Sequence, residues 1–330
     1  MSMKTPGLGL KICRALAELP KTLRRTRHPR LIMTLLVKNE AQMLAHNLEF
    51  HHRMGVDGFI VTDNNSTDDT PQILKQYQKR GWILDIIEET ATDYEQKRWV
   101  DRMVWLAKTK HHADWVINAD ADEFWFTPSG SLKSEMTDTG ANVLACEMRS
   151  VYPEDDVPWT EWRRTVRYVE NYEAYDLSLY SIFERQNKKV AHRADGYLQI
   201  SMGNHKVKML PQRERRSNIV VYHYNVRGRE QFMAKMINGG KQLEQHKGRH
   251  GGSLFSTYSR RTMPLTAAAI GATSMLSIKK DVWKRNTIAS SVCQPSTVSR
   301  AMVSCVKTTR CPRFLKDSCN YSSFSLHTPS

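Results

Sequence analysis

Between residues 31 and 120 the chain alternates continuous apolar runs with segments patterned as helices, and this alternation restricts the fold more than any other feature. "LIMTLLV" (31–37) is apolar throughout, as expected of a strand covered on both faces. "NEAQMLAHNLEFHHRMG" follows, with Asn39 placed to cap a helix, Met43, Leu44, Leu48 and His51 near one face, and Gly55 as its stop. "DGFIVTDN" reads as a second strand. "STDDTPQILKQYQKRG" reads as a second helix, with Ser66 to Asp69 in the cap region, Pro71 in the first turn and Gly81 at the end. A third strand "WILDIIEE", a third helix from about Tyr94 to Lys110 and a fourth strand "DWVINA" complete the series. Short connections between alternating strands and helices predict an α/β fold, with a mostly parallel central sheet flanked by helices.

In such sheets ligands bind at the carboxyl ends of the strands. Those ends carry Lys38-Asn39-Glu40, Asp63-Asn64-Asn65 and Asp120-Ala121-Asp122. Side chains alternate along an extended backbone, so Asp120 and Asp122 are expected to face one way and Glu123 the other, as a structural acid. Two carboxylates sharing a face suit a divalent, oxygen-preferring ion such as Mg²⁺ or Mn²⁺, whose shell a substrate phosphate completes. Without that context D-x-D reads equally well as a solvated turn; Phe124, Trp125 and Phe126 beyond it suggest a walled site. The helix start at 66–70 carries too many acids to dock phosphate. Asp63, placed before that cap, suits an N–H or O–H donor from a base or ribose.

Charge narrows the partners. The 330 residues hold 49 Lys and Arg against 34 Asp and Glu, a net +15. Residues 1–30 contribute eight basic residues against Glu18, and residues 284–330 seven against Asp317, leaving a near-neutral middle of 34 against 32. A neutral body argues against nucleic acid as partner. In residues 8–25, Ile12, Leu16, Leu19 and Leu23 recur among Lys11, Arg14, Lys21, Arg24 and Arg25, as in a helix lying on an anionic membrane surface; interruption by Pro20 leaves a solvated arm as the other reading. The six cysteines show no C-x-x-C and read as free thiols. No apolar run is long enough to span a bilayer, no secretory leader is evident, and the expected location is cytoplasmic, at most peripheral at the inner membrane face.

"LLVKNEAQMLAHNLEFHHRMGVDGFIVTDNNSTDDTPQILKQY", followed by "ADWVINADADEFW", resembles the family 2-like glycosyltransferases, and within them a bacterial subgroup with a V-K-N-E opening motif. The resemblance spans roughly residues 30–245. It implies a GT-A fold, a nucleotide-diphosphate sugar donor, a divalent metal at Asp120 and Asp122, and a nucleoside held by Asn39, Glu40 and Asp63. It further implies inverting transfer to a glycan or lipid-linked acceptor in cell-surface polysaccharide synthesis. "HYNVRGREQFMAKMINGG" is similar to the subgroup's H-Y-x-x-R-S-x-E-Q-F-x-x-K segment, with Gly228 in place of Ser. On that basis His223, ahead of His205, is a further metal ligand, and Arg227 and Lys235 are candidates for the donor phosphates.

An inverting transfer needs a general base, and "YPEDDVPW" (152–159) offers Asp155 or Asp156. Trp159 and Trp162 either stack on sugar or pack internally. The expected organisation is a basic arm (1–30), a GT-A domain (31–250, with a nucleotide-sugar half 31–126 and an acceptor half 127–250) and a basic, weakly ordered extension (251–330). The competing class is a catalytically inactive GT-A-like protein that binds an anionic surface or partner through its basic arms.

Overall fold

A computed structural model describes residues 6–22, 26–91, 96–137, 139–151, 154, 157–162, 165–166, 188–227 and 231. The alternating segment forms β1 (Leu31–Val37), α3 (Ala41–Arg53), β2 (Gly58–Asp63), α4 (Thr70–Lys79), β3 (Ile83–Glu88), α5 (Gln96–Thr109) and β4 (Trp115–Asp120), preceded by α1 (Leu8–Ala17) and α2 (Leu19–Thr22). Then come β5 (Glu123–Phe126), β6 (Val143–Val151), β7 (Thr165–Val166), β8 (Lys189–Arg193), β9 (Tyr197–Ile200), β10 (Val207–Met209) and β11 (Glu214–His223). The main sheet runs β3-β2-β1-β4-β8-β6-β11-β5, with β7 on β6, and β9 and β10 form a separate pair. Strands β3, β2, β1 and β4 are mutually parallel, β8 is antiparallel to β4 and β6, and β11 is parallel to β6. The expected α/β architecture is present.

The pleat sorts the core. Leu31, Met33, Leu35 and Val37 pack on the face that α3 covers, with Phe59, Val61, Trp115 and Ile117. Ile32, Ile60 and Val116 turn to the other face and meet Val100, Met103 and Val104 of α5. Because β6 and β11 run in the sense of β4, Asp63, Asp120 and His223 all end strands at one edge of the sheet. The antiparallel β8 begins at that same edge, which is why its first residue, Lys189, lies there.

One local reading differs. Asn39 does not cap α3: it takes a left-handed φ of 54°, and Glu40 holds the cap position. The Ala41 N–H is met instead by Asp68 Oδ2 at 3.1 Å, so the α4 approach caps α3 across the strand edge. Gly55 does end α3 with φ +92°, a conformation that glycine adopts without strain. Residues 8–22 form α1 and α2 rather than a solvated arm, and α1 is held against the body by the Lys11–Asp101 and Glu18–Lys108 ion pairs.

Candidate active site

The three acids after β4 do not follow strand alternation. β4 stops at Asp120, Ala121 and Asp122 form a turn, and Glu123 opens β5, which pairs antiparallel with β11. The turn brings Asp120 and Glu123 to the same lysine, while the Asp122 side chain meets His223 and Arg227. Lys189 Nζ lies 2.6 Å from Glu123 Oε1 and 3.4 Å from Asp120 Oδ2. Lys189 is 2% exposed and Glu123 fully buried, whereas Asp120 keeps a third of its side chain in solvent. Burial alone would push the Lys189 ammonium toward neutrality, but Glu123 and Asp120 outweigh it and hold the amine charged. Burial pushes the Glu123 carboxyl upward against the pull of Lys189. Glu123 is therefore a buried counter-ion of Lys189, on the side of Asp120.

Asp122 faces a different group. His223 Nε2 lies 3.5 Å from its Oδ1, and the Arg227 guanidinium 3.8 Å from its Oδ2. Arg227 also reaches Glu40 Oε2 at 3.0 Å, tying the end of β11 to the start of α3. Arg227 is 3% exposed, yet its Nε and Nη1 hydrogens, and Nδ1 of His223, have no hydrogen-bond partner among the described residues. Buried donors without acceptors are costly unless a ligand supplies them. His205 sits nearby with Nδ1 on the Lys188 carbonyl at 3.1 Å. Burial, then Lys189, depress its pKa.

The turn itself is held from below by α3. Asn47, fully buried, donates from Nδ2 to the carbonyls of Ala121 and Glu123, both at 2.9 Å, on either side of Asp122. His51, one helical turn on, bonds Asn47 through Nδ1 at 2.9 Å and receives the Trp125 N–H on Nε2 at 3.0 Å. That pattern needs the neutral ring, and burial drives the His51 pKa down to about 3.

At the end of β2, Asp63 Oδ1 accepts from the Ser66 N–H and hydroxyl, at 3.2 and 2.5 Å. It borders a cleft of about 350 Å³ lined also by Pro71, Leu74, Lys75, Gln78, Ile86 and Glu88. Asn39 Oδ1 accepts from the Thr67 N–H at 2.7 Å, closing the loop over this edge. Since Val37 pairs with Asp63 and Leu36 with Asp120, the two aspartates stand two strand spacings apart, roughly 10 Å.

The structure thus gathers Glu40, Asp122, His223 and Arg227 in one group and Asp120 with Glu123 in an adjoining one. Asp63 and Asn39 form a third group across β1. Trp159 and Trp162 pack inward: Trp159 lies against His46, Phe124 and Tyr224, and Trp162 stacks on Tyr224 with ring centroids 6.4 Å apart. Asp155, Asp156 and Lys235 lie outside the described residues. Sequence reasoning missed Lys189, Asn47 and the paired role of Glu123. A polar Asn and His one turn apart on an otherwise apolar helix face was the available signal for Asn47; no local pattern marks Lys189.

No set of three His, Cys, Asp or Glu side chains is arranged around a common metal position among the described residues. Asp122 and His223 nonetheless supply one oxygen and one nitrogen donor facing each other, with Asp120 beside the turn. A small protein donor set of this kind fits Mg²⁺ or Mn²⁺ whose remaining positions a diphosphate fills. No helix among the described residues is long and apolar enough to cross a membrane.

A mannosyltransferase, PcManGT, from Pyrobaculum calidifontis in complex with GDP-Man and Mn²⁺ is similar over 91% of this chain and 92% of that one, at 15% identity and a TM-score of 0.41. S. aureus TarS in complex with UDP is similar over 72% and 73%, at 12% identity and a TM-score of 0.37. Glucosyl-3-phosphoglycerate synthase from Mycobacterium tuberculosis, with Mn²⁺, UDP and glucosyl-3-phosphoglycerate, is similar over 59% and 63%, at 14% identity and a TM-score of 0.29. Likenesses this loose add nothing to the strand order described above. Comparison with curated protein sequences gave no significant match. The profile of glycosyltransferase family 92, in contrast, matches residues 32–285, from the first strand past the end of the described sheet. The motifs resemble family 2-like enzymes, but the matched profile is that of family 92. A match over this much of the chain is sufficient: the chain belongs to glycosyltransferase family 92.

Proposed function

We propose that this edge of the sheet binds a nucleotide-diphosphate sugar together with Mn²⁺ or Mg²⁺ in a GT-A arrangement, and that the protein transfers the sugar with inversion to a glycan or lipid-linked acceptor. The observation that carries this reading is the opposition of Asp122 to His223, with Arg227 beside them holding two buried donors that lack acceptors. Asp122 and His223, with Asp120, would hold the cation, which when bound offsets negative charge on the departing diphosphate. Arg227 offers its free N–H groups to the same diphosphate oxygens, with Glu40 fixing the guanidinium plane. Asp63 and the cleft beside it suit the nucleoside, and the roughly 10 Å from Asp63 to Asp120 matches the reach from base to diphosphate.

In the transfer, an acceptor hydroxyl oxygen bonds to the anomeric carbon as the bond from that carbon to the diphosphate oxygen breaks. The hydroxyl proton passes to a carboxylate base, assigned to Asp155 or Asp156 in the acidic sequence that follows β6. Residues 31–126 form the donor half and 127–250 the acceptor half. The products suit cell-surface polysaccharide synthesis on the cytoplasmic side. A thermal-shift screen with UDP, GDP, CDP and dTDP sugars, each with and without Mn²⁺, tests donor binding. A rise in Tm for at least one sugar nucleotide only when Mn²⁺ is present is expected. No rise for any of them, with or without metal, counts against the reading.

A further inference from the structure

Helix α1 is attached to the body with its polar side inward. Lys11 and Ala15 are its buried positions, and Thr22 of α2 continues the stripe. Lys11 is ion-paired with Asp101 of α5 and lies over the Tyr197 ring at 5.3 Å, while Glu18 pairs with Lys108 of α5 and accepts the Gly196 N–H at 3.2 Å. Burial opposes ionisation of Glu18, but Lys108 and the Gly196 N–H hold its pKa below the usual range, so the clasp is charged. The outward side, Leu8, Gly9, Leu10, Ile12, Cys13, Leu16 and Ala17, is exposed and carries no charge. Of the six large apolar side chains exposed among the described residues, Leu8, Leu10, Ile12, Leu16 and Leu19 are on this one segment. A concentrated apolar patch of this kind marks a docking surface.

Charge selects the occupant. Residues 1–30 hold eight basic residues against one acid, and that acid, Glu18, is already used by Lys108 and Arg14. A second copy of the chain would bring the same positive surface against this one, and the basic segment 284–330 would repel it likewise. Lys21, exposed, borders the apolar face, while Arg14 beside it pairs with Glu18 at 3.0 Å and lies over the Trp105 ring at 4.9 Å, leaving the apolar face itself uncharged. We infer that the outward face of α1, Leu8, Leu10, Ile12 and Leu16, inserts into an anionic lipid surface, with the body riding above it through the Lys11–Asp101 and Glu18–Lys108 clasp. An in-plane helix of this kind draws on both apolar burial and attraction to anionic headgroups.

The test uses the full chain and co-sedimentation with phosphatidylcholine vesicles, with and without about 30% of the anionic lipid phosphatidylglycerol. The variant Leu8→Gln/Ile12→Gln/Leu16→Gln alters exposed side chains, and an unchanged melting temperature shows that it is folded. The wild type is expected to bind the anionic vesicles, with partitioning reduced about tenfold or more in the variant and by raised salt. Equal partitioning of variant and wild type overturns the inference, as does equal binding to neutral vesicles. A concentration-dependent dimer that the variant abolishes, without vesicle binding, overturns it in favour of a second copy; binding to an acidic protein but not to vesicles overturns it in favour of that partner. Hydrolysis of soluble donor sugar should be the same in both, so failure here leaves the transferase reading untouched.

Discussion

Replacing Lys189 with Met keeps the volume of the side chain and removes the one charge that Glu123 relies on. Both groups are buried, so solvent does not screen the loss: Glu123 is fully covered and Lys189 is 2% exposed. Breaking one side of a buried pair costs about 3–5 kcal/mol, because the remaining charge is stranded. For a domain of this size that corresponds to a fall in Tm of about 6–20 °C at pH 7.5. The sign of the pH dependence follows from Glu123. Without Lys189 its folded pKa rises further above the ordinary carboxylate value, so the folded state binds more protons than the unfolded state in that window, and stability falls as pH rises through it. The variant should therefore approach wild-type stability near pH 5 and diverge from it toward pH 8. Adding Glu123→Gln removes the stranded charge and should recover about half of the loss at pH 7.5. Asp120, with a third of its side chain in solvent, keeps its own hydration in every variant. Urea denaturation of Lys189→Met, of the double variant and of the wild type, at pH 5 and 7.5, measures all of these effects. A Lys189→Met penalty below about 1 kcal/mol that does not change with pH would refute a charged, buried pair.

The other expectations concern the turn, the buried histidines and the guanidinium. Asn47→Ala leaves the carbonyls of Ala121 and Glu123 without their donor and should cost about 2–4 kcal/mol in stability and lower kcat more than it raises the donor KM, read by denaturation and steady-state kinetics. His51 and His192 are buried neutral, with pKa values driven by burial to about 3 and about 4. The unfolded chain takes up protons below the ordinary 6.5, so each residue removes stability as pH falls from there, by about 2 kcal/mol at pH 5; His51→Gln should flatten that slope in pH-dependent denaturation. Arg227→Lys keeps a charge but loses the fork that spans Glu40 and Asp122, and should raise the donor KM about tenfold or more.

The parallel half of the sheet was legible because its strands are continuous apolar runs and its helices carry clear stops: Gly55 and Gly81 both end helices with positive φ. What the sequence did not convey depends on contacts far along the chain. Alternation placed Glu123 opposite Asp120, but β5 leaves β4 to pair with β11, and the turn at 121–122 resets the faces. Lys189 opens a short strand, "KVAHR", that shows no periodic pattern because every position in it is buried. Its partners come from the other side of an antiparallel crossing. Helix α1 reads as an ordinary amphipathic helix until Lys11 and Glu18 find Asp101 and Lys108, each 90 residues away. Those ion pairs turn its polar face inward.

Asp122, opposed by His223, is proposed to serve a cation-dependent transfer of sugar from a nucleotide diphosphate. Hydrolysis of the best-binding sugar nucleotide, followed with Mn²⁺ and with chelator, for wild type and Asp122→Ala tests it directly. Mn²⁺-dependent release of nucleoside diphosphate by the wild type is expected, with a loss of about a hundredfold or more in the variant and the fold retained. Release that persists in Asp122→Ala, or that is indifferent to chelator, would contradict it.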